Sequence, residues 1–103
     1  MNSLFEANLK EIVTGYFQKK PVIKAYLFGS YSRGDNTESS DIDILVELDY
    51  TEKIGLAFFK MENDLSNLLQ TKVDLLTTNS ISKYIKPYVE KEKKLIYERK
   101  EIN

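Results

Sequence analysis

Apolar residues recur at helical spacing and then at alternate positions, and this succession repeats along the chain. Phe5, Leu9, Ile12, Val13 and Tyr16 lie three or four residues apart, which predicts an amphipathic helix over residues 3–19. Lys19 and Lys20 complement its carbonyl end, and Pro21 cannot continue it. Val22 to Phe28, rich in β-branched and aromatic residues, reads as a strand. Gly29 to about Arg33 reads as a short helix, and Gly34-Asp35-Asn36 as a turn. The clearest strand is Ile42 to Leu48. Ile42, Ile44, Val46 and Leu48 take one face, while Asp41, Asp43 and Glu47 take the other together with Leu45.

The second half repeats the order of helix and strand. Ile54, Phe58, Met61, Leu65 and Leu68 form a stripe that predicts a helix over 52–70, and Val73 to Thr77 reads as a third strand broken by one charge, Asp74. Asn79 or Ser80 is placed to cap a final helix carrying Ile81, Tyr84, Ile85, Tyr88 and Val89, kinked or restarted at Pro87. Leu95-Ile96-Tyr97 reads as a last edge strand. Helices alternating with strands around a small sheet predict an α/β or α+β sandwich, helices covering one face.

Composition narrows the chemistry. The 103 residues predict a single domain over 1–103, and 42% hydrophobic with 30% charged residues is an ordinary globular balance. A net charge of −1 supplies no basic field for general nucleic-acid binding. With no cysteine and no histidine, any metal must be held by oxygen, and any general base must be a carboxylate, a lysine or a tyrosine. No apolar run approaches the ~20 residues of a membrane span and no signal-peptide pattern opens the chain, so a cytoplasmic location away from membranes is expected.

One constellation carries chemistry. Leu27-Phe28-Gly29-Ser30 is followed, after ten residues, by Asp41-Ile42-Asp43. A glycine turn opening a helix at serine can direct backbone amides at a phosphate. Two carboxylates two residues apart on a strand share a face, and their hard oxygens suit magnesium, which completes its shell with substrate phosphates. Together they describe a site for a nucleoside triphosphate. Asp74, an acid within an apolar strand, is the candidate third carboxylate, and the alternative is the solvent face of an edge strand. Gly29 can also be a plain turn and Ser30 a plain helix cap. Arg33 is either a phosphate clamp or an exposed partner of Asp35 or Glu38. Ser40 either orients Asp41 or ends the loop, and Tyr26 and Tyr31 flank the glycine turn within reach of a base.

Phe28-Gly29-Ser30, Arg33-Gly34, Ser40-Asp41-Ile42-Asp43-Ile44 and Val73-Asp74-Leu75 resemble the minimal nucleotidyltransferases of the polymerase beta superfamily. The resemblance runs from about Tyr26 to Asp74, and Leu95-Ile96-Tyr97-Glu98 is similar to how those short proteins close. It implies the nucleotidyltransferase fold, a small mixed β-sheet with helices packed mainly on one face. It implies that Asp41 and Asp43 are catalytic and, with Asp74, hold two magnesium ions, while Gly29, Ser30 and Arg33 bind the nucleotide. ATP is the implied substrate. The implied partner is a HEPN-domain ribonuclease toxin, neutralised by transfer of AMP onto a tyrosine. Larger relatives append a nucleic-acid-binding domain, which is not expected here. A non-catalytic antitoxin acting by occlusion and an adenylyltransferase for a small molecule such as an aminoglycoside are the alternatives.

Overall fold

A computed structural model describes residues 3–100. Its elements are α1 (Ser3–Phe17), β1 (Val22–Phe28), α2 (Ser30–Arg33), β2 (Ile42–Leu48), α3 (Ala57–Leu69), β3 (Val73–Thr77), α4 (Lys86–Glu92) and β4 (Lys94–Glu98). The four strands form one mixed sheet in the order β3-β2-β1-β4, with β2 and β3 parallel and the other pairs antiparallel. The closing segment is thus an edge strand, as its pattern predicts.

Strand periodicity divides the sheet into a packed face and an open one. Ala25 and Leu27 of β1, Ile42, Ile44, Val46 and Leu48 of β2, and Val73 and Leu75 of β3 are buried against Leu9, Val13 and Phe17 of α1 and Met61 and Leu65 of α3. Burying a side chain of this size stabilises by about 1.5–3 kcal/mol, so this face anchors the fold. A hydrogen bond of 2.6 Å from the Tyr16 hydroxyl to Asp64 ties α1 to α3. The edge strand β3 is protected by α3: the Val73 N–H donates to Ser66 Oγ at 2.9 Å and the Leu75 N–H to Glu62 Oε2 at 2.9 Å. Those contacts satisfy outward amides and fix the strand that carries Asp74.

Two helices begin later than their apolar stripes predict. Residues 52–56 precede α3, because Gly55 adopts a left-handed φ of 45° and the Asp49 carboxylate instead turns the chain at Thr51. Ile54 still packs partly against the core, which explains the extended stripe. Asn79 and Ser80 do not cap a helix. Ser80 closes a turn on Thr77, and α4 starts at Lys86 with Pro87 in its first turn, where a missing N–H costs nothing. Helix α1 ends at Phe17 rather than 19.

Arg99 straps the far end of the sheet, donating to Asp49 Oδ2 at 2.7 Å and to the Lys20 carbonyl at 3.3 Å. Hydrogen bonds from Arg99 and Thr51 hold the Asp49 carboxyl down at about 2, below its ordinary 3.8. A carboxylate with a depressed folded-state pKa stabilises above its unfolded value and loses that contribution as pH falls through the folded one. Asp49→Asn is therefore expected to lower the melting temperature at pH 7, and the deficit should vanish between about pH 4 and pH 2. Paired melts across that window check it.

Candidate active site

Strand register assembles the carboxylates. Phe28 pairs with Asp43 across β1 and β2, and Asp43 pairs with Asp74 across β2 and β3. Their neighbours Leu27, Ile44 and Leu75 occupy the packed face, so Asp43 and Asp74 project from the open one. Asp41 precedes β2 by one residue. Lys72 joins the two outer acids, its ammonium lying 3.6 Å from Asp41 Oδ2 and 4.0 Å from Asp74 Oδ1.

Gly29 brings the turn between β1 and α2 against these acids. It lies between β1 and α2 with φ 75° and ψ −154°, a region open essentially to glycine alone. A Cβ there would fall 2.3 Å from Asp43 Oδ2. The close approach of Gly29 to Asp43 thus requires the absence of a side chain. Ser30 then opens α2, a single turn closed at Gly34, whose φ is 83° and whose N–H donates to the Ser30 carbonyl at 2.9 Å. The first amides of such a turn have no acceptor within it and remain available to an anion.

Arg33 lies at the other end of α2. Its Nε donates to Asp35 at 3.1 Å and its Nη1 to both Glu92 carboxylate oxygens at 3.0 and 3.1 Å. Ser32 donates its hydroxyl to the Glu92 carbonyl, so α2 is held to the end of α4. The positive charge of Arg33 also acts on Asp43, pulling its pKa down against stronger opposing effects. Ser40 accepts the Thr37 N–H at 2.8 Å and so closes the loop before Asp41. Tyr31 is buried and stacked on Phe5 in the core, away from any base, whereas Tyr26 pairs with Leu45 on the open face.

Burial above all, and then the charges of Asp74 and Asp41, push the Asp43 carboxyl up to about 6. Crowded like charges of this kind call for a cation. Among the described residues no three acids are placed closely enough to hold a metal ion as they stand. The donor types nonetheless suit a hard divalent ion: Asp43 paired with Asp74 across the strands and Asp41 two residues before Asp43, no histidine or cysteine in the sequence, and the Lys72 ammonium already set against Asp41 and Asp74.

The raised pKa has a consequence for stability. The charged form of Asp43 destabilises the metal-free fold above about pH 6, and protonation relieves this as pH falls toward the unfolded value of 3.8. Asp43 is partly solvated, so the penalty is at most about 1 kcal/mol, a few degrees of melting temperature. Asp43→Asn is expected to melt above the metal-free wild type at pH 7.5, with the gap closing at pH 4.5. Calorimetry in a chelator checks it.

Two residues of the site carry no signal in the motif pattern. Lys72 adjoins Val73-Asp74, and a lone cation beside a candidate metal ligand is the one clue the sequence offers. Glu92 holds Arg33 across 59 positions, a pairing that no local pattern encodes.

Known proteins place this geometry. The family model described as polymerase beta nucleotidyltransferase matches residues 10–102. A Methanocaldococcus jannaschii relative, provisionally named a protein adenylyltransferase, is 51% identical over 83 residues, covering 78% of this chain and 80% of its own. Among solved structures, a toxin–antitoxin complex with AMP-PNP superposes with a TM-score of 0.69 at 26% identity, over 90% of this chain and 73% of that one. A complex of tri-AMPylated Shewanella oneidensis HEPN toxin with its MNT antitoxin gives 0.63 at 25% identity, over 95% and 73% of the two chains. With the matched model spanning most of its length and with the glycine turn set against paired carboxylates, the chain belongs to the polymerase beta nucleotidyltransferase family.

Proposed function

We propose that this chain is an antitoxin that transfers AMP from ATP to a tyrosine hydroxyl of a HEPN-type toxin partner, using magnesium held by Asp41, Asp43 and Asp74. The observation that carries the reading is the seating of Gly29 on the Asp43 carboxylate, which sets a phosphate-binding turn beside three acids on one sheet face. The likeness to a complex holding an ATP analogue, and to one whose toxin carries AMP, supports the nucleotide and the acceptor.

Asp41 and Asp43 would hold the ions shared with the triphosphate, and Asp74 the one nearer the acceptor. When bound, divalent ions supply charge neutralisation for the crowded acids, activation of the attacking hydroxyl and stabilisation of the departing pyrophosphate. The Gly29-Ser30 turn fixes the outer phosphates through backbone amides, which is positional and electrostatic catalysis. Arg33 adds positive charge from the far end of α2. Asp74 accepts the proton that the acceptor hydroxyl releases. Lys72 must leave Asp41 and Asp74 when a divalent ion takes its place, and its exposed, long contacts make that exchange inexpensive.

The experiment is a comparison of labels. With ATP labelled in the α-phosphate, the partner protein is expected to become labelled. With ATP labelled in the γ-phosphate it should stay unlabelled, the label leaving as pyrophosphate. A chelator should abolish transfer and added magnesium restore it. Label from the γ-phosphate on the partner would identify a kinase and contradict the reading.

A further inference from the structure

Three acids and one lysine occupy neighbouring positions on two parallel strands. Ile42 pairs with Val73 and Asp43 with Asp74 across β2 and β3, and Asp41 and Lys72 each stand one residue before the Ile42–Val73 pair. Side chains two apart on a strand share a face, so Asp41 goes with Asp43 and Lys72 with Asp74. Acids set this way repel one another. The Lys72 ammonium answers the outer two, 3.6 Å from Asp41 Oδ2 and 4.0 Å from Asp74 Oδ1. Gly29 ends β1 on the other side of β2 and rests against Asp43. Lys72 thus takes the one corner of the patch that is not acidic.

This lysine is fixed at its root and free at its tip. Its carbonyl accepts the Ile42 N–H at 2.9 Å. Ser66 holds the amides on both sides of it: the Thr71 N–H donates to the Ser66 carbonyl at 3.2 Å, and the Val73 N–H to Ser66 Oγ at 2.9 Å. The Lys72 side chain is nevertheless 72% exposed and meets the acids only at ion-pair range. An ammonium on a flexible four-carbon stem can leave such contacts without disturbing the backbone that carries Asp74. A removable unit charge therefore stands against two of the three acids assigned to the metal.

We propose that Lys72 is the tethered counter-ion of the empty site, competing with a divalent ion for Asp41 and Asp74 and so setting the ion concentration at which the site fills. This rests on the metal-dependent transfer proposed above and concerns its regulation. In place, the lysine offsets one of the three acidic charges and engages Asp41 and Asp74 itself. Withdrawn, it releases both to join Asp43 in holding the ion. Entry of a divalent ion is thus an exchange of cations, opposed by the loss of the two lysine contacts. The competition is electrostatic, so salt that screens the lysine weakens it.

The test titrates manganese(II) into the full, nucleotide-free chain and counts the free ion by electron paramagnetic resonance. Lys72→Met, which keeps an unbranched stem without the charge, is expected to bind manganese about fivefold tighter than the wild type at low ionic strength, and Lys72→Gln likewise. Lys72→Arg should stay near the wild-type value. The gap should shrink as potassium chloride rises to about 0.5 M, where the Debye length falls to roughly 4 Å. At saturating ATP, the magnesium concentration for half-maximal AMP transfer should fall by about the same factor in Lys72→Met. Equal manganese affinities in the wild type and both neutral variants would overturn the proposal and leave the lysine a surface ion pair. So would weaker binding by the neutral variants, or no binding by any form. Tighter binding by the neutral variants of a chain whose wild type transfers no AMP would keep the cation exchange and remove the transfer reading instead.

Discussion

Asp41→Asn and Asp43→Asn are each expected to reduce AMP transfer by about a thousandfold or more while the protein stays folded. Asparagine keeps the shape and removes the charge that a divalent ion requires. The two substitutions should differ in stability in an informative way. Asp43 is the crowded acid, raised to about 6 by burial and by its two neighbours, so neutralising it relieves the metal-free fold. Asp41 is held by Lys72 at 3.6 Å on an exposed surface, and neutralising it should change the melting temperature little. Magnesium with AMP-PNP should raise the melting temperature of the wild type and fail to raise that of either variant, because a ligand stabilises only the fold that binds it. A site that destabilises its own apo state and is repaired by its cofactor is the signature of function overriding stability.

Gly29→Ala is expected to impair folding and activity together. The backbone region it occupies costs a residue with a side chain about 1–3 kcal/mol. The added methyl would also meet Asp43 Oδ2 at 2.3 Å, so either the turn or the carboxylate must move. For a chain of this length each kcal/mol lowers the melting temperature by about 4–8 °C. Gly15→Ala is the matched control. Gly15 lies inside α1, and a Cβ there meets nothing within 4 Å, so the substitution should stabilise by about 0.5–1 kcal/mol and leave transfer unchanged. Thermal melts and transfer rates of the pair separate the general effect of losing a glycine from the particular demand of this turn.

The parts of the site that a reader of the sequence can find are those that follow from strand geometry. Asp41-Ile42-Asp43 announces two acids on one side because side chains alternate, and the same rule gives Asp74 once Val73 to Thr77 is recognised as a strand. The parts that stay hidden depend on register and on distant pairing. That Asp43 faces Asp74, and that Gly29 rests on Asp43, are properties of which strands become neighbours. The hold of Glu92 on Arg33 arises only when the end of α4 meets α2. The start of α3 departs from its apolar stripe because the backbone requirement at Gly55 overrides it, whereas α4 begins with Pro87 in its first turn, one of the two outcomes its position predicts. Leu45 has the appearance of an apolar intruder among Asp43 and Glu47. Only the structure shows it buried beside Tyr26 on the face opposite the core.

The central claim, that Asp41, Asp43 and the Gly29 turn form one AMP-transfer site acting on a HEPN-type partner, is tested most directly by the intact mass of that partner. The partner would be co-expressed with the wild-type chain and, separately, with the Asp41→Asn/Asp43→Asn double variant. The account predicts a mass gain of one or more AMP units, located on tyrosine, with the wild type alone. An unmodified partner that is bound and silenced equally by both forms would contradict it and assign neutralisation to occlusion.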